Sequence, residues 1–218
     1  MQDTPGRWAE WGGMTSFLAV FAIALVAVLL VELPDKTLVA TLVLSTRYRP
    51  RPVLLGVALA FAVQCVIAVT AGGLLHLLPH RLLEGIVAVM FALGAFLLVR
   101  ESMSADEEEV AEEEELAGST PAGAGLSNRR IFAISFGVLF AAEWGDASQL
   151  ATAGLVARYG QPVAIGLGAF IALVGVAVMA VWLGKLILRR VPLQLLHRLA
   201  AVLFGLFAII AAVAAIRG

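Results

Sequence analysis

Two short stretches of this chain place residues that could do chemistry where apolar residues otherwise prevail. The first is Glu32-Leu33-Pro34-Asp35-Lys36-Thr37, and the second, Glu143-Trp144-Gly145-Asp146-Ala147-Ser148, begins 111 positions later. Each sets two carboxylates three residues apart within a long apolar run. An acid in an apolar span costs roughly 2.5–3.5 kcal/mol on insertion scales, so its presence points to function. Glu32 and Asp35, at i and i+3, share one face of a helix. Pro34 lacks an amide hydrogen and clashes with the carbonyl of Leu30, so a bend is expected there. Backbone oxygens freed by such a bend are tolerated in a membrane only inside protein or beside water. Gly145 can do the same work through flexibility. Carboxylates, hydroxyls and freed carbonyls together make a hard oxygen site, suited to Ca²⁺, Mg²⁺ or Mn²⁺ rather than Zn²⁺ or Cu⁺.

The expected ligands are Glu32, Asp35 and Thr37 from the first stretch and Glu143, Asp146 and Ser148 from the second. Lys36, Thr41, Gln149 and Thr152 stand beside them. On an unbroken helix Thr37 and Thr41 point roughly opposite Glu32, so they reach a shared site only if the helix breaks near Pro34. The same condition holds for Ser148 and Thr152 around Gly145. A structural role competes for the aspartates. Asp146 to Gln149 has the form of a capping box opening a second half-helix, and Asp35 could cap likewise. Lys36 could neutralise one carboxylate. Four clustered carboxylates cannot all stay ionised in a dry site, so protons and a divalent cation would compete for the same oxygens.

The elements that must hold these residues are legible in composition. Of 218 residues, 61% are hydrophobic and 14% charged, and the apolar ones form long runs rather than amphipathic stripes. That is the composition of an all-α polytopic membrane protein. A bilayer core needs about 20 apolar residues per helix, and by that measure six spans are expected, at 15–46, 53–78, 83–99, 131–157, 162–187 and 193–216. The N-terminus has no basic region before its apolar run and does not read as a cleavable signal. Between the third and fourth spans lie Asp106 to Glu109, Glu112 to Glu115 and a Gly/Ser/Pro/Ala stretch. Such a run should be a disordered linker. The chain is thus expected to divide into a first three-helix unit (1–100), a linker (101–128) and a second three-helix unit (129–218). The single Cys65 excludes a disulfide or a thiolate metal site within one chain. No nucleophile elbow, P-loop or zinc-binding His pair is present, so neither an enzyme, a resident cofactor nor a nucleic-acid partner is expected.

Aligning Glu32–Tyr48 with Glu143–Tyr159 gives seven identities in seventeen positions, among them Glu, Asp, Arg and Tyr. Chance similarity between apolar helices would match Leu and Ala instead, so the chain is read as an internal duplication. Gly56 and Gly166 correspond after a one-residue gap. The copies lie three spans apart, so they run in opposite directions, as in the inverted repeats of secondary transporters. Ten basic residues on the side of the first, third and fifth connections face four on the other. That asymmetry puts the acidic linker in the cytoplasm and both termini outside an inner membrane.

Duplicated E-x-G-D-[KR]-[TS] motifs in two three-helix halves joined by an acidic linker resemble the Gdt-one family (uncharacterised protein family 0016). The resemblance implies a Ca²⁺/H⁺ or Mn²⁺/H⁺ exchanger. It carries over onto Glu32, Asp35, Lys36 and Thr37 in the first copy and Glu143, Asp146 and Ser148 in the second. Two positions depart from the pattern: Pro34 replaces the family's Gly, and Ala147 its Lys or Arg. The expectation is therefore a secondary transporter exporting a divalent cation, Mn²⁺ or Ca²⁺, against protons. An exporter of an amino acid or other small solute, or a membrane assembly factor without transport, are the alternatives.

Overall fold

Apolar runs of this length can satisfy their backbone groups inside a bilayer only as helices or closed barrels, and the described residues contain helices and no strand. The structure, a computed structural model, describes residues 7–33, 36–119, 126–190 and 193–217. Its helices are α1 (Arg7–Glu32), α2 (Lys36–Arg47), α3 (Pro50–Leu75), α4 (His80–Ser119), α5 (Asn128–Ala142), α6 (Ala147–Tyr159), α7 (Pro162–Arg190) and α8 (Leu193–Arg217).

Four helical segments are long and apolar enough to cross a membrane: Pro50–Leu75, His80–Arg100, Pro162–Trp182 and Arg198–Arg217. The pair α5 and α6 makes a fifth span only if taken together, because the two are bent by 71° at their junction. Ser16–Glu32 is a shorter apolar helix. The first and fourth runs, expected as long spans, are therefore each divided at their motif, between Glu32 and Lys36 and between Ala142 and Ala147. At the second break the reason is visible. Gly145 takes φ +79°, a left-handed conformation that costs a side-chain-bearing residue roughly 1–2 kcal/mol. The acidic stretch also differs from expectation, since α4 continues as helix through it to Ser119. Glu, Ala and Leu there have high intrinsic helix propensity.

Buried apolar side chains form two main clusters. One joins α1, α4, α6 and α8 through residues such as Ala24, Val31, Phe91, Leu155 and Phe204. The other joins α2, α3, α5 and α7 through Leu44, Phe61, Leu139 and Ala172. Each divided run changes cluster at its break, α1 to α2 in one direction and α5 to α6 in the other. The motifs thus lie where the two clusters adjoin. Lipid tails are as apolar as leucine, so close approach of small residues, rather than burial from water, must hold such helices together. A Cβ on Gly56 of α3 would collide with Phe132 O of α5, and one on Gly168 of α7 would lie 2.6 Å from Phe21 O of α1. Phe21 and Phe132 are themselves 111 positions apart, the motif spacing. The contacts therefore equate Gly56 with Gly168 and not with Gly166. The second copy carries one extra residue before its proline (Pro50 against Pro162), which shifts the register that alignment alone suggests.

Polar contacts sort the chain ends into two groups. Arg49 Nη1 donates to Asn128 Oδ1 at 2.9 Å, joining the α2–α3 connection to the start of α5. At the opposite ends of those helices, Gln161 Nε2 donates to Ser16 Oγ at 3.2 Å, and His76 Nδ1 bonds Ala157 O at 2.6 Å. Arg158 Nη1 pairs with Glu84 Oε2 at 2.5 Å. Gly160, at φ +63°, closes the C-terminus of α6 against the His76 ring. The second helix of the bent pair, α6, is thereby fixed to α3 and α4.

Candidate functional site

Each break delivers a glutamate at the end of one half-helix. Glu32 closes α1 and is fully buried. Glu143 follows the last residue of α5 as its C-cap and is 1% exposed. On a continuous helix Thr37 would lie five residues, some 140°, around from Glu32. The interruption after Glu32 removes that constraint, and Thr37 Oγ1 lies 2.7 Å from Glu32 Oε2. The same hydroxyl also meets Glu143 Oε1 from the other copy. Thr37 therefore bridges the two motifs.

Asp146 completes the cluster. One carboxylate oxygen each from Glu32, Glu143 and Asp146 lie within 4.8 Å of one another. Asp146 is also the N-cap of α6, and its Oδ2 accepts from Ser148 N at 3.1 Å. Gln149 Oε1 accepts from Gly145 N at 3.1 Å, a variant of the capping box in which the reach-back is one residue longer. Capping uses one oxygen and leaves the other able to face a cation, so capping does not preclude the second expected role. The two can be separated. Asn caps as well as Asp, so Asp146→Asn is expected to keep the melting temperature while weakening cation transport. Asp146→Ala should lose about 0.5–2 kcal/mol of stability as well. Thermal unfolding in detergent alongside a transport assay reads both, and an Asp146→Asn protein that transports like wild type would leave capping as the sole role.

The remaining expected residues are placed less uniformly. Ser148 and Thr152 are buried, but Thr152 Oγ1 donates to Ser148 O at 2.8 Å within its own helix. Thr41 is buried, and its hydroxyl has no hydrogen-bond partner among the described residues. Pro34 and Asp35 lie outside the described residues, as does the side chain of Lys36. Trp144 is 61% exposed, and its ring lies 5.2 Å from that of Phe140, tilted by 56°.

Two participants are not singled out by motif spacing. Gln64 of α3 donates through Nε2 to Phe140 O at 3.1 Å. That carbonyl is free because Trp144 N turns to Ala141 O (3.4 Å) rather than continuing the α-helical ladder. An amide in an apolar span marks an inter-helix bond, and here it supports the helix end that carries Glu143. Glu84, a lone acid early in the third span, pairs with Arg158, a signal visible only once both ends are known to adjoin.

Three oxygens from the two motifs, with a hydroxyl between them, form the kind of hard-oxygen set that a divalent cation takes. Comparison with known proteins gives the same class. Residues 20–106 and 131–218 match the family described as "Divalent cation/proton antiporter GDT1". The chain belongs to the GDT1 family. A GDT1-like protein of Synechocystis is 31% identical over 204 residues, covering 88% of this chain and 96% of the relative. A Vibrio cholerae protein named "Putative manganese exporter" is 29% identical over 196 residues, covering 88% of this chain and 90% of its own length. A chloroplastic GDT1-like protein of rice is 27% identical over 221 residues, covering 89% of this chain and 60% of the relative. No solved structure matches. Membership in the GDT1 family makes this a multi-pass membrane protein of a transporter family rather than an enzyme family, with divalent cations and protons as the transported species.

Proposed function

We propose that this protein exports a divalent cation from the cytoplasm in exchange for protons, and that Mn²⁺ is the preferred cargo, with Ca²⁺ the competing one. The cation is held by Glu32, Asp35, Thr37, Glu143, Asp146 and Ser148, with Lys36, Thr41, Gln149 and Thr152 around them. The observation that carries this reading is the position of Thr37 between Glu32 and Glu143. A hydroxyl has one hydrogen, so it can donate to only one of two carboxylates. A proton on a carboxyl, or a cation among the oxygens, would favour the second close approach. One place that takes either is what an exchanger requires. The name of the Vibrio cholerae relative supports manganese.

Six spans in two inverted three-helix repeats, 1–100 and 129–218 about a linker at 101–128, account for the helix contacts. Exchanging α1, α2 and α3 for α5, α6 and α7 turns the α1–α7 contact into the α5–α3 contact and the α2–α7 contact into the α6–α3 contact. The matched glycine crossings at Gly56 and Gly168 support the same exchange. The Arg49–Asn128 and Gln161–Ser16 bonds agree with alternating sides for successive connections. The basic excess then puts the linker in the cytoplasm of a cell membrane and both termini outside. Asp35, as the counterpart of Asp146, completes the set.

Purified protein in proteoliposomes tests the function. Mn²⁺ uptake is expected to accelerate when the vesicle lumen is acidic, with protons leaving as the cation enters, and Ca²⁺ uptake should be slower. Uptake indifferent to the pH gradient would remove the exchange reading. Transport of neither ion would remove divalent-cation transport altogether.

A further inference from the structure

Between α3 and the start of α6, two residues on from Asp146, lies a small cavity. It measures about 10 Å³ and is lined by Gln64, Ser148, Gln149 and Thr152, with Cys65, Ala68 and Leu173 completing its wall. A void of that size holds about one water, provided two to four polar partners surround it. The partners are present and are deeply buried: Gln64 and Thr152 are each 2% exposed and Ser148 is 4% exposed.

Their hydrogen-bond states are fixed by their other contacts. Gly145 N can only donate, so the Gln149 atom that meets it must be the amide oxygen, at 3.1 Å. The Gln149 amide nitrogen is thereby left as a buried donor without a partner among the described residues. Such a donor costs about 1–3 kcal/mol if nothing accepts from it. The hydrogen of Thr152 Oγ1 is committed to Ser148 O, which leaves its lone pairs to accept. One of the two hydrogens on Gln64 Nε2 goes to Phe140 O, which leaves the other to donate. A water in the void would accept from Gln149 and donate to Thr152, with Gln64 and Ser148 alongside. The void adjoins the carboxylates through Ser148, whose N–H holds Asp146.

We propose that this void is a built one-water site, and that it lets the transported cation keep part of its hydration shell, so that Gln64, Gln149 and Thr152 set selectivity among divalent cations. The inference rests on the carboxylate site proposed above. Large, flexible Ca²⁺ accepts six to eight oxygens in varied sets, whereas Mg²⁺ demands near-octahedral geometry and gives up water reluctantly, and Mn²⁺, with its octahedral oxygen sites, is taken here to stand nearer to Mg²⁺. A pocket that keeps a water in place therefore favours the small ion without any change in the charged ligands. Gln64 belongs to neither motif, so selectivity is built partly from α3, where this chain can differ from relatives with the same motifs.

The test is the ratio of apparent affinities for Mn²⁺ and Ca²⁺, measured by competition in proteoliposomes of the full chain. Thr152→Val keeps shape and removes the acceptor, and Gln64→Leu removes the amide. Each is expected to lower the Mn²⁺-to-Ca²⁺ affinity ratio about tenfold, the scale of lost outer-shell partners. Thr152→Ser should restore the wild-type ratio. Ser135→Ala, which deletes a buried hydroxyl away from the void, should leave the ratio unchanged and so controls for general loosening. A ratio within twofold of wild type in both Thr152→Val and Gln64→Leu, whatever the overall rate, overturns the proposal while leaving the carboxylate site standing. A wild-type protein that binds neither ion overturns both.

Discussion

Replacing Glu143 with Gln is expected to weaken apparent cation affinity by about 100-fold or more while leaving the protein as stable as before, or more so. Gln is nearly isosteric, so a position 1% exposed keeps its packing. What changes is charge. Removing one member of a buried charged set costs roughly 3–5 kcal/mol of the interaction with its counter-charge, and every 1.4 kcal/mol is a factor of ten. Without the cation, the same replacement removes one of three carboxylates crowded within 4.8 Å, which relieves repulsion. Exchanging buried charge for a neutral group of similar volume is often neutral or stabilising. Glu32→Gln should behave alike, because Thr37 touches both glutamates. The measurement is the Mn²⁺ concentration dependence of uptake, paired with a melting curve in detergent. An unchanged KM in both variants would show that the glutamates are structural. A lowered melting temperature with lost uptake would mean that the fold, rather than the site, had failed.

That opposite movement of stability and function is what makes the motifs legible in one dimension. Glu32 and Glu143 violate the apolar rule of their surroundings, and the duplication repeats the violation at the same spacing. Local chemistry also marks the breaks, since glycine or proline beside buried acid has few structural uses. The direction of the hydroxyls follows only conditionally. Thr37 reaches Glu32 because the helix is interrupted, whereas Thr152, the second copy's counterpart of Thr41, turns back onto Ser148 O. Side-chain spacing cannot choose between those outcomes, because both are one rotamer apart. The register of the repeat beyond the motif is hidden for a different reason. Glycines are frequent in membrane helices, so alignment pairs Gly56 with Gly166, and only the backbone each one touches identifies Gly168. Gln64 in an apolar span announces an inter-helix bond but not its partner, which lies 76 residues away, and the partner of Glu84 lies 74 residues away.

The two copies are consequently equal in their acids and unequal in how they deploy their hydroxyls. In the first, Thr37 is offered to both glutamates and Thr41 lies buried with no partner among the described residues. In the second, the capping interactions of Asp146 and Gln149 bind the half-helix start to its own backbone. An alternating-access cycle that moves one half relative to the other would therefore meet a second copy fastened by these bonds, by Arg158 to Glu84 and by His76 to Ala157 O.

The helix crossings supply the second large effect. Gly56→Ala and Gly168→Ala are each expected to destabilise by about 1–3 kcal/mol, the range for over-packing a close-fitting interior. The added methyl at Gly56 meets Phe132 O, and it approaches Phe136 N and Ser135 Cβ at 3.0 Å; at Gly168 it meets Phe21 O and Leu25 N. The backbone atoms among these belong to the neighbouring helix and cannot rotate aside, so α3 must withdraw from α5, or α7 from α1. Gly73→Ala and Gly85→Ala provide the contrast, because a methyl at either has nothing within 4 Å. Those substitutions should fall within about 0.5 kcal/mol of wild type, or stabilise slightly through helix propensity. Withdrawal of α3 would also stretch the Gln64–Phe140 bond, 3.1 Å in the intact protein, and release the end of α5 that presents Glu143. Gly56→Ala should therefore lose cation affinity along with stability, whereas Gly73→Ala loses neither. Detergent melting and the Mn²⁺ dependence of uptake, measured on the same four proteins, read both effects. If Gly56→Ala melts with Gly73→Ala, the α3–α5 crossing is looser than the geometry requires, and the positioning of Glu143 through α3 fails with it.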